Sequence, residues 1–574
     1  MKKITILSFV FFSIISFSQE DKEKIKGNFF GGFESNSQWY TNDKDRGINH
    51  PEDPFRSNNY LNANYNYGKW TAGVQGEGYL PNALLNYNPK YEKANVATYY
   101  LNYRSSKINA TAGYFYEQFG SGLLLRSWED RSLGINNALR GGKIKYTPTD
   151  NLSFTALYGR QRTGFDIANG DVFGFNSEIN LFRMLKIESS DLSLGFSYVG
   201  RKETTTIINP NFNELTNGFA GRLNFSKNSF YFSAEYNFKT EDGILYDSKT
   251  VYNDFVKPGS ALLLNGGYSK KGFGLDVTLR RLENMSFYSE REPEVFSPEK
   301  TSIYYNDRLM NFVPSLTKQH HFNLANIYVY QAQARVSLDF DNGIAKAGEI
   351  GGQIDIYYDF PKETALGGKY GTKISANFSN WNNLKGDYNL FPPEYKTDFL
   401  GAGEKYFSDF NLEINKKFSK KFSSTFAFIN QYYNNRLITG AANTVIKANI
   451  LAAEFDYNLS KGRAAKLAIE HMWADNDRKN WIAMLFEYNI NTRFSVFASD
   501  MYNYGYDKDA NLIDHETDPF DIHFYNFGGA YKKGSTRFAI NYGRQRGGLV
   551  CAGGVCRFVP PSTGLGMSIT TSFN

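Results

Sequence analysis

The chain has 574 residues, 41% hydrophobic, 17% aromatic and 21% charged, with a formal net charge of +6 and a mean hydropathy of −0.48. Its 49 Phe and 41 Tyr exclude a disordered chain, and its 2 Cys exclude a disulfide-dense scaffold. The charges are dispersed, which gives no nucleic-acid signal, and beyond residue 18 no apolar run nears the ~20 residues of a membrane-spanning helix.

The chain opens on Met1-Lys2-Lys3, followed by an apolar stretch over 4–17 and small residues at Ser16 and Ser18. This order reads as a signal peptide over residues 1–18, cleaved before Gln19. Residues 19–26 are then a short charged lead-in on the periplasmic side, with no Cys for a lipid anchor, and residues 27–574 form the folded part.

From there the period is two. Leu192, Leu194, Phe196 and Tyr198 alternate with Ser193, Gly195 and Ser197. Phe230, Phe232, Ala234, Tyr236 and Phe238 alternate with polar partners in the same way, as do Ile354, Ile356, Tyr358 and Phe360, then Ile374, Ala376 and Phe378, then Leu565, Met567, Ile569 and Phe573. Successive strand side chains point to opposite faces, so each segment carries one apolar and one polar face. The apolar sets end in aromatics such as Tyr158, Tyr198, Phe238 and Phe360. This fits an interfacial girdle.

The connections alternate in length. Short basic turns such as Gly68-Lys69, Ser226-Lys227-Asn228, Ser269 to Gly272 and Lys532 to Ser535 alternate with longer Asp/Asn/Pro-rich stretches at 42–55, 81–95, 239–257, 288–323, 381–405 and 505–519. Outer-membrane barrels have short periplasmic turns and long extracellular loops. The expectation is an all-β fold: a single transmembrane antiparallel up-and-down barrel of about 24 strands (22–26), with both termini periplasmic. The count is least certain between Asn323 and Ile350. Such a barrel encloses a space roughly 40–50 Å across, so inward-folded loops or a partner must close it.

The segment 120–142 is the best candidate for closure. It mixes Leu123-Leu124-Leu125 with Arg126, Trp128, Glu129, Asp130, Arg131 and Arg140. By count it is the third extracellular loop, the position at which general porins place a charged constriction. The stretch 288–323 is the second candidate, because a structureless loop of that length is usually functional or disordered. A five-residue repeat, Tyr-Gly-Arg-Gln-Arg, stands at 158–162 and 542–546. If the pleat continues, Arg160, Arg162, Arg544 and Arg546 face lipopolysaccharide phosphates; if a bulge intervenes, they line the lumen.

Cys551 and Cys556 flank Ala552-Gly553-Gly554-Val555. Gly-Gly suits a type I′ turn, which sets the two Cys opposite each other in an oxidising compartment. A disulfide at the tip of the last extracellular loop is expected. Asp507, Asp509, Asn511 and Asp514 resemble a calcium loop, but Leu512 stands where Gly is needed and Asp518 replaces the bidentate Glu. A solvated loop is the better reading. The histidines are His50, His320, His321, His471, His515 and His523. Asp521, His523 and Tyr525 share one strand face, where they would add lumenal polarity. No nucleophile elbow or nucleotide loop is present, so neither an enzyme nor a cofactor is expected.

The signal peptide, the Tyr/Asn-rich strands, the Lys-Ser turns, the Cys-Ala-Gly-Gly-Val-Cys tip and a closing strand ending in Phe573 resemble porin-like outer-membrane barrels of the Bacteroidota, a family without an assigned activity. The resemblance implies a place in the outer membrane among lipid and lipopolysaccharide, and assembly by the barrel-assembly machinery. The N-terminal plug domain of TonB-dependent receptors is not expected. The functional expectation is a porin-like channel for polar solutes, its lumen narrowed by inward-folded loops. The alternative is a non-conducting scaffold, with an envelope protein as partner, in a secretion or surface-attachment complex.

Overall fold

The computed structural model describes residues 26–574 apart from 88–90, 92, 205–212, 247–249, 292–307, 340–342, 441–444 and 506–520. The signal peptide and the calcium-like loop therefore lie outside the described residues, and so does most of the lead-in.

Twenty-four antiparallel strands form one sheet. Each barrel strand pairs with its neighbours in chain order, from Asn28–Tyr40 and Phe55–Tyr67 through to Thr536–Gln545 and Ser562–Phe573. The first and last strands then pair with each other from Gly31↔Phe573 to Tyr40↔Gly564, which closes the barrel and leaves no free edge. The even strand number brings both termini to one end.

The outer face carries the apolar parity. Leu61, Val96, Phe196, Phe232, Ile354 and Phe486 are all exposed to the outside, and dozens of large apolar side chains share that surface. A soluble protein rarely exposes a contiguous apolar patch beyond a few hundred Å²; a continuous belt of this kind is made for lipid. Aromatic pairs edge it at both ends. Trp70–Tyr103, Phe230–Tyr268 and Phe494–Tyr531 lie 4.6–4.9 Å apart near the terminal end, and Tyr198–Phe219 and Phe527–Tyr542 lie 5.3 and 5.9 Å apart near the other.

Three parts of the sequence reading change. The stretches expected as loops at 239–257 and 381–405 are largely strand: Phe230–Tyr246 runs into Thr250–Lys270, and Thr372–Asn389 into Glu394–Lys417. The last is 24 residues long, more than twice the 9–11 that cross a bilayer. These hairpins continue beyond the belt, where polar composition and strand structure are compatible. Register shifts between Trp381 and Gly386 bend the second hairpin as it leaves the wall. Finally, none of the described residues between Asn323 and Ala347 belongs to a barrel strand. Residues 284–347 form a single connection between Phe273–Glu283 and Gly348–Phe360, which pair directly with each other.

Candidate functional site: a lumen filled by its own connections

The inner face of the wall is not uniformly polar. Leu157, Val172, Val199, Leu282, Ile429 and Ile450 point inward and are 0–5% exposed. In an open pore they would be wet; burying each is worth ~1.5–3 kcal/mol. The connections supply the cover. Met285, Phe287 and Met310 of the 284–347 connection join Leu123, Leu124 and Leu125 of the third connection, 116–138, against one side of the wall. Phe322, Leu324, Tyr328 and Tyr330 pack on the opposite side, with Trp381, Phe407 and Trp481. The segment 322–330 is thus laid against the inside of the barrel.

The two connections bind each other. Arg126 N–H donates to Met310 O at 2.8 Å, and Phe312 N–H to Gly122 O at 2.9 Å. The Arg126 guanidinium lies 3.8 Å from the Phe312 ring centroid and 5.1 Å from that of Trp128, a cation–π sandwich. Glu129 accepts from Gln75 at 3.0 Å and from Arg131 at 3.1 Å, and Arg131 reaches Glu34 on the first strand at 2.7 Å. Asp130 closes its own turn, accepting from Ser132 and from Leu133 N–H. Four of the five candidate constriction residues therefore sit together in the third connection. Arg140 does not join them: it lies in the strand Leu139–Thr149, exposed on the outer face opposite Arg160.

Inward-facing acids pin the long connection to the wall. Glu349 binds Arg280 at 2.6 Å and accepts from Gln333 N–H and the Tyr330 hydroxyl. Glu470 accepts from Asn323 N–H at 2.9 Å and Leu324 N–H at 2.7 Å, capping a short helical turn over Leu324–Asn326. Asp409 binds His320 at 3.1 Å, Glu413 binds Lys318 at 2.6 Å, and Glu454 binds His321 at 3.5 Å. The Glu454 hydrogen bond raises the His321 pKa above the usual imidazole value. Lys346, fully enclosed and donating to Gln333 and to Leu437 O, is lowered to about 7 by burial. A second cluster gathers Arg201, Lys239 and Arg291 around Asp242, with Glu203 beside Arg201. The sequence reading missed Glu349, Asp409, Glu454 and Glu470, because a single acid among the inward-facing residues of a strand has no local signature.

The arginine repeat divides in the same way in both copies. Arg160 keeps the outward direction and bonds Asp171 at 2.7 Å. Between Arg160 and Arg162 the register shifts, and Arg162 turns inward to a bidentate pair with Glu77 at 2.6 and 3.0 Å, 1% exposed. Arg544 stays outward, held by Asp43 and Asp45 at 2.8 Å each, while Arg546 reaches the lumenal Ile327 O at 3.4 Å. Arg162 and Arg546 thus point away from lipid headgroups, because a bulge in one case and the end of the strand in the other breaks the pleat.

The two inward and outward arginines differ in expected effect. Arg162→Ala leaves Glu77 charged and unpaired in the interior and is expected to cost ~3–5 kcal/mol. Arg160→Ala removes an exposed pair worth at most ~1 kcal/mol. Urea unfolding of the folded barrel in detergent, followed by the gel-mobility shift on heating, distinguishes them; equal midpoints would contradict the assignment.

Cys551 and Cys556 are joined, across a hairpin of Gly548–Ala552 and Val555–Val559 whose turn residues Gly553 and Gly554 have φ of 56° and 80°. The sequence reading left the direction of this tip open. The tip dips inward, where Gly554 O accepts from Ser315 N–H at 2.8 Å and Arg557 donates to Leu133 O. Asp521, His523 and Tyr525 also differ from expectation: Ile522 and Phe524 take the buried face, His523 stacks on Tyr502 beside Asp500, and Tyr525 joins the outer aromatics Phe527 and Tyr542. No group of three or more His, Cys, Asp or Glu that could hold a metal occurs among the described residues.

No curated protein matches the chain. Solved structures with a similar fold include the siderophore receptor PirA from Pseudomonas aeruginosa, at 9% identity and a TM-score of 0.40 over 96% of this chain and 81% of that one. The translocation pore of the P pilus usher PapC matches at 8% identity and a TM-score of 0.38, over 96% and 99%. A BenF-like porin from Pseudomonas fluorescens Pf-5 matches at 10% identity and a TM-score of 0.33, over 83% and 97%. The likeness is one of fold, that of outer-membrane barrels. DUF6029, a family of unknown function, matches residues 1–573, and the chain belongs to it.

Proposed function

We propose that the protein is a porin-like channel of the outer membrane for polar solutes, non-enzymatic, with its lumen narrowed by its own connections and with short turns and termini in the periplasm. The observation that carries this reading is how the 284–347 connection is held. Among its described residues, the contacts to the wall are side-chain pins and apolar packing, and none adds a strand to the barrel sheet. An element held in this way can shift without breaking the barrel, whereas a plug woven into the sheet could not. A polar-lined cavity of about 680 Å³ flanks it. The scaffold alternative calls for a lumen left for a partner, and here the chain's own residues occupy it.

The outer face suits lipopolysaccharide. Arg140, Arg160, Asp171 and Lys202 are register partners in one row across four strands, beyond the Tyr158 girdle. Three cations around one carboxylate favour a phosphate-bearing headgroup.

Purified protein in planar bilayers tests the channel reading. Discrete, low-conductance openings that pass both small cations and anions are expected. A folded barrel that stays silent at all voltages and co-purifies with another envelope protein would overturn it in favour of the scaffold.

A further inference from the structure

The connections 116–138 and 284–347 meet the disulfide-linked hairpin around a cavity of about 450 Å³, within the range that holds a small organic ligand. All three segments give it apolar side chains that stay open. Trp128, Leu309, Val313, Leu549 and Val555 line it half-buried, and Phe558, the register partner of Leu549, is 51% exposed. Water against such a wall is displaced favourably by an apolar body.

The charges in the lining are all of one sign. Arg335, Lys346 and Arg557 belong to it, and no Asp or Glu among the described residues does. Glu349 is already paired with Arg280, and neither it nor Asp339 lines the cavity. Two of the cations are buried and committed to uncharged acceptors: Lys346 donates to the Gln333 side chain and to Leu437 O, and Arg557 to Leu133 O. Arg335 differs. Its side chain is exposed, and its guanidinium has no hydrogen bond or ion pair with any of the described residues. Its charge acts on the Lys346 ammonium, which sets the guanidinium beside the cavity.

One open guanidinium beside an open apolar wall matches one ligand chemistry. A planar guanidinium pairs bidentately with a carboxylate, and the wall takes the rest of the molecule. We propose that this cavity binds a monocarboxylate with an aromatic body, its carboxylate on Arg335 and its ring against Leu309, Leu549 and Phe558. The proposal names a class of solute for the channel and rests on the channel reading for its role in passage; binding itself does not depend on conduction.

Isothermal titration of the full-length protein in detergent, with hydrocinnamate as the probe and micelles alone as the blank, tests it. Hydrocinnamamide keeps the ring without the charge, phenylpropylamine reverses the charge, and propionate keeps the charge without the ring. Saturable hydrocinnamate binding is expected, tighter than that of all three. Arg335→Gln should weaken it by about tenfold, a loss of ~1.4 kcal/mol, and abolish the preference over the amide. Phe558→Ala should weaken it and narrow the preference over propionate. Arg183→Gln, an exposed arginine at the end of the barrel that carries the termini, should leave it unchanged. Neither Arg335 nor Phe558 belongs to the barrel sheet, and the gel shift on heating verifies that each variant is folded. No saturable binding by the folded protein, equal or tighter binding of any of the three counterparts, or wild-type affinity in either cavity variant would overturn the site. Conductance measured on the same preparation separates the two claims: a conducting protein that ignores hydrocinnamate overturns the site alone, and a silent protein that binds it overturns the channel alone.

Discussion

Replacing residues 284–347 by a short hairpin turn is expected to raise single-channel conductance at least about tenfold, because barrels of 16–18 strands already carry an aqueous channel and this one has more. The wall should survive the change. Glu283 and Gly348 are already register partners, so a two- to five-residue turn joins them without altering either strand. What is lost is the cover over Leu282, Ile429 and Ile450 and the partners of Glu349 and Glu470. The variant should therefore unfold at lower urea while still showing the heat-dependent gel shift. Planar-bilayer recording and liposome swelling with neutral sugars both read the opening. A folded variant with wild-type conductance would show that this connection does not set the resistance of the lumen.

The second large effect is expected at Asp242. This carboxylate meets Arg201 at 2.9 Å, Lys239 at 3.6 Å and Arg291 directly, and all four side chains are at most 2% exposed. Arg291 belongs to the lumenal connection, and Arg201 and Lys239 to the wall. Asp242→Ala leaves three buried cations facing Glu203 alone. Removing one partner of a buried pair costs ~3–5 kcal/mol, and the least costly relief is for the 284–291 segment to leave the wall. Limited proteolysis should then cut within 284–347, and bilayer recordings should show longer openings. Adding Arg291→Met to Asp242→Ala should restore much of the protection by removing a charge. Equal protease resistance in wild type and Asp242→Ala would refute this role of the cluster.

The wall was legible in the chain. Alternation at 192–198, 230–238 and 354–360 marks strands and their lipid face, and the expected strand number agrees with the barrel. Less legible was where strands end, since polar residues at 239–257 and 381–405 look alike in a loop and in a strand above the membrane. Of the candidate site, Arg126, Glu129, Asp130 and Arg131 were found from the mixture of leucines and charges in one connection. Arg140 was misplaced because it belongs to the next strand. Glu349, Glu470, Asp409 and Asp242 were missed, because a single acid in a polar parity has no local signature.

The sequence by itself determined the closed sheet, its apolar outside and the two ends with unequal connections. These rest on period-two patterning and turn chemistry, which act within a few residues. Only the tertiary structure decided that the lumen is filled, and by which segments. The decisive contacts join residues far apart in the chain: Asn323 with Glu470, Ser315 with Gly554, Arg162 with Glu77. They exist because closure of the wall creates an interior in which exposed leucines must be covered and buried charges must find partners.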